Sequence, residues 1–425
     1  MNIHIKNGRL IDPKSNIDAQ QDVFIVERRI AAIGKVPQGF VAAQVIDASG
    51  LIVMPGLVDV AARLREPGFE YKATLESEMA AAAAGGITSL ACPPDTDPPL
   101  DEPGLVEMLK HRARSLNKAR VFPVGALTYG LKGEELTEMI ELSEAGCKAF
   151  SQADARLTDT RVLLRAMQYA ATMDYSVWLR PQDSFLAKDG VAHDGEVATR
   201  CGLAAIPVSA ETIALATMLA LAKDTGVKLH ICRISSAAGV DMIRFAKQQG
   251  LAVTCDVAMN HVHLSEMDIG FFDANCHLVP PLRSLRDRSA LRAGLRDGTI
   301  DAICSDHTPV DEDAKLFPFA EAEAGATGIE LLLPLVLKWA EQERVPLLDA
   351  LARITISPAL LLGQKMGHLS VGAHADVCIF DPQATWKVEP AALKSQGKNT
   401  PFNGYEMQGR VRYTLLDGQV VFQQP

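Results

Sequence analysis

No two cysteines stand at Cys-x-x-Cys spacing. The eight lie scattered at Cys92, Cys147, Cys201, Cys232, Cys255, Cys276, Cys304 and Cys378, and buried free thiols are the reading such spacing supports. Positive charge is short as well. Against 52 Asp and Glu there are 42 Lys and Arg, a formal net charge of −10, and because phosphate binding draws on clustered cations this argues against a nucleic-acid partner. No apolar run is long enough to cross a bilayer, and the opening MNIHIKNGRLIDP has no basic region followed by an apolar core. Neither a membrane span nor a secretory leader is expected, and the chain reads as a soluble cytoplasmic protein. Low-complexity sequence is limited to one alanine run, and no short repeat is found.

What is present is ordinary globular sequence, 48% hydrophobic and 22% charged over 425 residues, long enough for a barrel of ~250 residues and a second module. Residues 1 to about 50 alternate β-branched runs with turns at Asn7-Gly8 and Ser49-Gly50. The other end answers with HADVCIFDP and RVRYTLLDGQVVF around Asp417-Gly418. Residues 1–51 and 364–425 are therefore expected to build one composite β domain. Between them, over 52–363, helical stretches closed by Gly alternate with strands rich in Val, Ile and Leu, from ATLESEMAAAAAGG and ITSLACPP to RSALRAGLRDG and TIDAICSDH. With the opening strand there are eight such strands, which predicts an α/β fold, a (β/α)8 TIM barrel.

The first of these strands lies in Val53 to Phe69, VMPGLVDVAARLREPGF, whose C-terminal end carries polar side chains toward the mouth of the barrel. Its Pro55, Gly56, Asp59, Arg65, Pro67 and Gly68 resemble the Pro-Gly-x-x-Asp-x-His-x-His-x-Arg-x-Pro-Gly segment of dihydroorotase, a cyclic amidohydrolase of pyrimidine synthesis. The resemblance runs from Gly8 to Phe422 and implies the amidohydrolase type of barrel. It also implies a binuclear zinc site, and here that site is degenerate. The two histidine positions are Ala61 and Arg63. The bridging carboxylate position, in Phe150-Ser151-Gln152-Ala153, is Gln152; the next histidine is Arg180 and the one after is Arg233. Only Asp306, in Asp306-His307-Thr308-Pro309, keeps a ligand type. Zinc takes imidazole, thiolate or carboxylate donors, and a guanidinium stays a cation, so no zinc and no other cofactor is expected. Asp154 lies one step past that four-residue segment, and the two-residue period of a strand is expected to turn it away. Cys232 is expected to be a buried thiol.

The resemblance assigns the substrate carboxylate to Arg65 and to an asparagine that here is Asp95, which would repel it; Val279 stands where a further asparagine is expected. Two readings of Arg63, Arg180 and Arg233 stay open. They face the mouth and pair with the vestigial Asp306, or they have drifted toward solvent. His261 and His263 form the one His-x-His pair, with His277 and His307 as possible companions, and packing is the expected role of the pair. His4, His111, His193, His368 and His374 are expected to be surface or packing residues without carboxylate neighbours.

Loss of five metal positions together with substrate contacts resembles a non-catalytic subgroup of dihydroorotases that accompanies an aspartate carbamoyltransferase in some bacteria. The resemblance implies a pseudoenzyme: a structural chain, dimeric with itself, needed for assembly of that transcarbamoylase in a complex of six and six chains. Two alternatives remain, an active zinc-dependent dihydroorotase with a rebuilt site and an enzyme of another class that uses the arginine-lined mouth to bind an anion.

Overall fold

Strands from the two ends of the chain hydrogen-bond into a single sheet in the computed structural model, which describes residues 2–424. Its six strands run in the order Gln419–Gln423, Glu406–Leu416, Val377–Lys387, Ile52–Pro55, Arg9–Asp12, Ile17–Gln20. A second sheet of four, Arg29–Ile33, Val23–Val26, Ile3–Lys6 and Gln44–Asp47, packs on it. Alternation of β-branched residues dictates this: Ile3, Ile5, Val23, Ile25, Val53 and Ile379 point inward and form one apolar cluster. The break expected after residue 51 is displaced by this pairing. Ile52–Pro55 lies antiparallel to Val377–Phe380, with Val53 opposite Ile379, and parallel to Arg9 and Leu10. Gly56 ends the sheet, and the first barrel strand is only Leu57–Asp59.

From there eight parallel strands close on themselves. They are Leu57–Asp59, Ile87–Cys92, a third in two pieces (Arg120–Pro123 and Gly125–Ala126), Phe150–Ser151, Ser176–Leu179, Lys228–Ile231, Val253–Ala258 and Ala302–Cys304. Closure comes from the parallel bridge of Ala62 with His307, where the Arg63 N–H donates to the His307 carbonyl at 2.9 Å. The fold is thus a (β/α)8 barrel with a β-rich domain. Its strands read as continuous apolar runs because both faces are covered, by helices outside and by other strands inside. The helices start and stop on local signals. Thr74 and Ser77 form a capping box for Leu75–Ala84, Pro103 opens Pro103–Leu116, and Asn117 closes it at a φ of 50°.

Inside the barrel Val58, Val60, Ala91, Val124, Ala149, Trp178 and Ala258 fill the space between strands, and Ala359 and Leu362 plug the N-terminal end. A packed interior leaves the C-terminal mouth as the place where polar side chains converge. Among the described residues no helix is long and apolar enough to cross a membrane, and all eight cysteines are free.

Candidate functional site at the barrel mouth

Beyond four of the eight barrel strands the backbone changes hand. Arg65, Ala153, Arg233 and Asp306 have φ values of 61°, 50°, 54° and 48°. A residue with a β-carbon in this region is disfavoured by about 1–2 kcal/mol, so the surroundings must hold these conformations. Their effect is to cancel the two-residue alternation just beyond the strands. Asp154, expected to turn away, turns in: the strand stops at Ser151, and the left-handed Ala153 swings the next side chain to the axis. Gln152 goes the other way, accepting from the Thr128 hydroxyl at 3.0 Å and donating to the Leu131 carbonyl at 2.9 Å.

Asp154 sits between three guanidinium groups. Arg63 Nη2 donates to its Oδ2 at 2.7 Å, Arg233 Nη2 to its Oδ1 at 2.6 Å, and Arg180 Nε to the same Oδ1. Arg63 also donates from Nε to Asp95 at 2.7 Å and from Nη1 to the Thr308 hydroxyl at 3.0 Å. Arg233 Nη1 reaches Asp306 at 3.0 Å and the Val279 carbonyl at 3.2 Å, and Arg180 Nη1 donates to Gln182. The side chains of all three arginines are more than nine-tenths buried. Of the two readings left open by the sequence, the inward one holds: drift to solvent is excluded, because buried cations persist only when paired. Asp95 belongs to the same network, as a partner of Arg63.

Three cations face three carboxylates, Asp95, Asp154 and Asp306, so the cluster is neutral overall. Burial alone would raise the Asp154 carboxyl, but Arg233, Arg180 and Arg63 outweigh it and hold the group well below the usual carboxylate range. Burial does raise Asp306, with Arg233 and Arg63 offsetting it only in part. Arg65 stands apart: it donates from Nε to the Pro309 carbonyl at 2.8 Å, with Glu323 at 4.0 Å. The space left between Ala61, Trp178, Cys232 and the arginines is roughly 30 Å³, room for about one water.

This donor set does not fit a zinc centre. Ala61 offers no ligand atom, Arg63, Arg180 and Arg233 offer cations, Gln152 is turned away, and Asp154 has both oxygens engaged. Nearby, His230, Cys232 and Asp256 come within ligand reach of one another. Their atoms are committed elsewhere, however. His230 uses Nε2 on Asp256 at 2.8 Å and Nδ1 on the Thr254 hydroxyl at 2.9 Å, while Asp256 also accepts the Arg233 N–H at 2.8 Å. Burial pushes the Cys232 thiol well above its ordinary range, which keeps it a thiol and a poor ligand. Cys232 nonetheless lines the cavity, because its strand ends at Ile231.

The remaining histidines are structural. His261 and His263 cap backbone carbonyls, of Pro280 at 3.1 Å and Leu335 at 2.8 Å. His277 does the same for Ala322, and His307 pairs with buried Glu78 at 2.6 Å. Two expectations fail here: His4 lies 2.8 Å from Asp22 and His374 lies 2.7 Å from Asp417. Both carboxylates arrive from other strands or turns, beyond the reach of local sequence.

Sequence reasoning named the three arginines but missed the residue that gathers them. One signal was available, since three inward cations need nearby carboxylates, and Asp154 lies two residues beyond Gln152.

Residues 50–238 match a family described as dihydro-orotase-like. The chain is 44% identical over 420 residues to a dihydroorotase-like protein of Pseudomonas aeruginosa, spanning 99% of both. It is 42% identical over 426 residues to a protein named dihydroorotase in Geobacter sp. (strain M21), spanning 100% of both. Among solved structures it is similar to the L-hydantoinase (dihydropyrimidinase) from Arthrobacter aurescens, with a TM-score of 0.89 at 26% identity, covering 99% of this chain and 96% of that one.

Proposed function

Because the chain belongs to the dihydroorotase-like family, we propose that it is a member without catalysis of its own, a zinc-free structural subunit of an aspartate carbamoyltransferase complex. The observation that carries this is the Asp154 cluster. Where the family resemblance implies a metal centre, this chain has a neutral, internally satisfied knot of arginines and carboxylates. Nothing in it is an activated nucleophile or a free base, and no guanidinium is left over for an anionic substrate, which weakens the anion-binding alternative. The partner is inferred from resemblance to the non-catalytic subgroup: six copies of this chain, paired as dimers, hold six transcarbamoylase chains. Symmetric assemblies combine such interfaces.

Coexpression with the transcarbamoylase chain of the same cell, with sizing and activity assay of the product, tests the subunit reading. A larger, active complex that forms only when both chains are present is expected. A transcarbamoylase that migrates and works identically without this chain would sink the proposal.

The second reading, an active zinc-dependent dihydroorotase, draws on relatives that carry that name. Elemental analysis separates the two. Protein purified without chelator should hold well under one zinc per chain, whereas about two, each with several protein donors, would restore the enzyme reading. Returning histidines at Ala61→His and Arg63→His should still give no conversion between carbamoyl aspartate and dihydroorotate. The other ligand positions stay unfilled, and residues that act as a unit do not rescue one another singly. Measurable turnover by that double variant would overturn this.

A further inference from the structure

Two loops beside the Asp154 cluster carry a surface that a soluble monomer has no use for. The loop after the seventh barrel strand exposes Met267, Phe271 and Phe272, at 50%, 102% and 46%; the loop after the eighth exposes Leu316 and Phe317, at 81% and 55%. The two are stitched together. Lys315 donates from Nζ to the Ala274 carbonyl at 2.8 Å, and the His277 and Phe319 rings stack at 5.0 Å. Taking about 200 Å² for a fully exposed side chain of this size, these five present roughly 650 Å² of apolar surface. That is at the upper end of the apolar patches a monomer leaves exposed, which are often functional, and approaches the ~800 Å² each partner contributes to a standard interface.

The rim decides what covers it. Asp268, Asp273, Asp311, Glu312, Asp313 and Glu321 flank the aromatic residues. The one cation in these two stretches, Lys315, is turned inward onto Ala274. Two copies of this face brought together would set like charges against each other, which is destabilising. A partner with an apolar face ringed by Lys and Arg fits instead.

The cluster that stands in place of a metal centre braces both loops. Arg233 holds the Val279 carbonyl and Arg63 the Thr308 hydroxyl, while Arg65, outside the cluster, holds the Pro309 carbonyl. We infer that the patch formed by Met267, Phe271, Phe272, Leu316 and Phe317 is the docking face for the transcarbamoylase chain, kept rigid by the arginine and carboxylate cluster beneath it. This rests on the proposed subunit role and adds to it the surface that performs it.

The test uses the coexpressed full-length complex, measured by light scattering and by titration of the separated chains. Phe271→Asp with Leu316→Asp should weaken association about tenfold or more, as loss of central apolar anchors does. Phe245→Asp, at a 63% exposed position on the outer helix Ala237–Gln248, should leave it unchanged. A second variant guards against misfolding: Glu312→Lys with Glu321→Lys, two exposed side chains, should weaken association while leaving the melting temperature alone. Raised salt should weaken the wild-type complex. If the wild type assembles and both patch variants assemble as tightly, this surface is the wrong one and the subunit role survives. If the wild type itself fails to assemble, the subunit role falls and the docking face with it.

Discussion

Asp154→Ala should destabilise the folded protein by about 3 kcal/mol, the low end of the cost of removing one partner of a buried ion cluster while the others stay. The low end applies because 29% of the Asp154 side chain reaches solvent. The physical cause is the three guanidinium groups of Arg63, Arg180 and Arg233, which would then share only Asp95 and Asp306 within a buried volume. Equilibrium unfolding in urea reads the loss directly. Adding Arg180→Met to Asp154→Ala should recover part of it, since among the described residues that arginine has no other carboxylate within 4.0 Å, and residues sharing one network are not additive. An Asp154→Ala protein with the wild-type midpoint would show that the cluster contributes nothing to stability. The same variant should loosen the loops that carry Val279 and Thr308, detectable as faster amide exchange there.

Acidification should destabilise the protein starting below about pH 6.5, earlier than carboxylate protonation alone would require. His261 is buried against the Pro280 and Pro281 carbonyls, and burial is the main reason its pKa is pushed down to about 4. The unfolded chain takes up a proton on this ring near pH 6.5 while the folded one does not. Stability is therefore fully present above that value and is lost progressively as the pH falls toward 4. The span corresponds to roughly 3 kcal/mol at 1.36 kcal/mol per pH unit. His263, pushed down to about 3 chiefly by burial, acts in the same direction, but less of this converts to stability because part of its ring reaches solvent. Unfolding free energies measured from pH 7.5 to 4.5 on wild type and His261→Gln test this. The variant's profile should be flatter between pH 6.5 and 4.5, and identical slopes would overturn the assignment.

The buried cluster also shows how a barrel mouth without histidine ligands is filled. Removing zinc ligands one at a time would leave unpaired donors and a wet void at the mouth, whereas arginines with long apolar stems fill volume and supply charge together. Asp306 and Asp95 then have cations to face. The left-handed backbones at Arg65, Ala153, Arg233 and Asp306 remain as the scaffold on which either arrangement can be built.

The sequence by itself determined that eight strand and helix units close a barrel, that both ends join in β structure, and that Ala61, Arg63, Gln152, Arg180 and Arg233 stand where metal ligands are expected. The first two come from periodicity and glycine stops, which are local along the chain, and the third from the resemblance to the dihydroorotase motifs. Tertiary structure alone decided the rest. Ile52–Pro55 reads as barrel from its neighbours, yet it pairs with Val377–Phe380, a partner more than 300 residues away. Asp154 reads as turned outward from strand alternation, yet the strand ends three residues earlier and a φ of 50° at Ala153 reverses it. The inward direction of the three arginines depended on that one carboxylate, on Asp95 and on Asp306, drawn from different strand ends. A charge is stabilised by whatever surrounds it in space, and no stretch of sequence contains that neighbourhood.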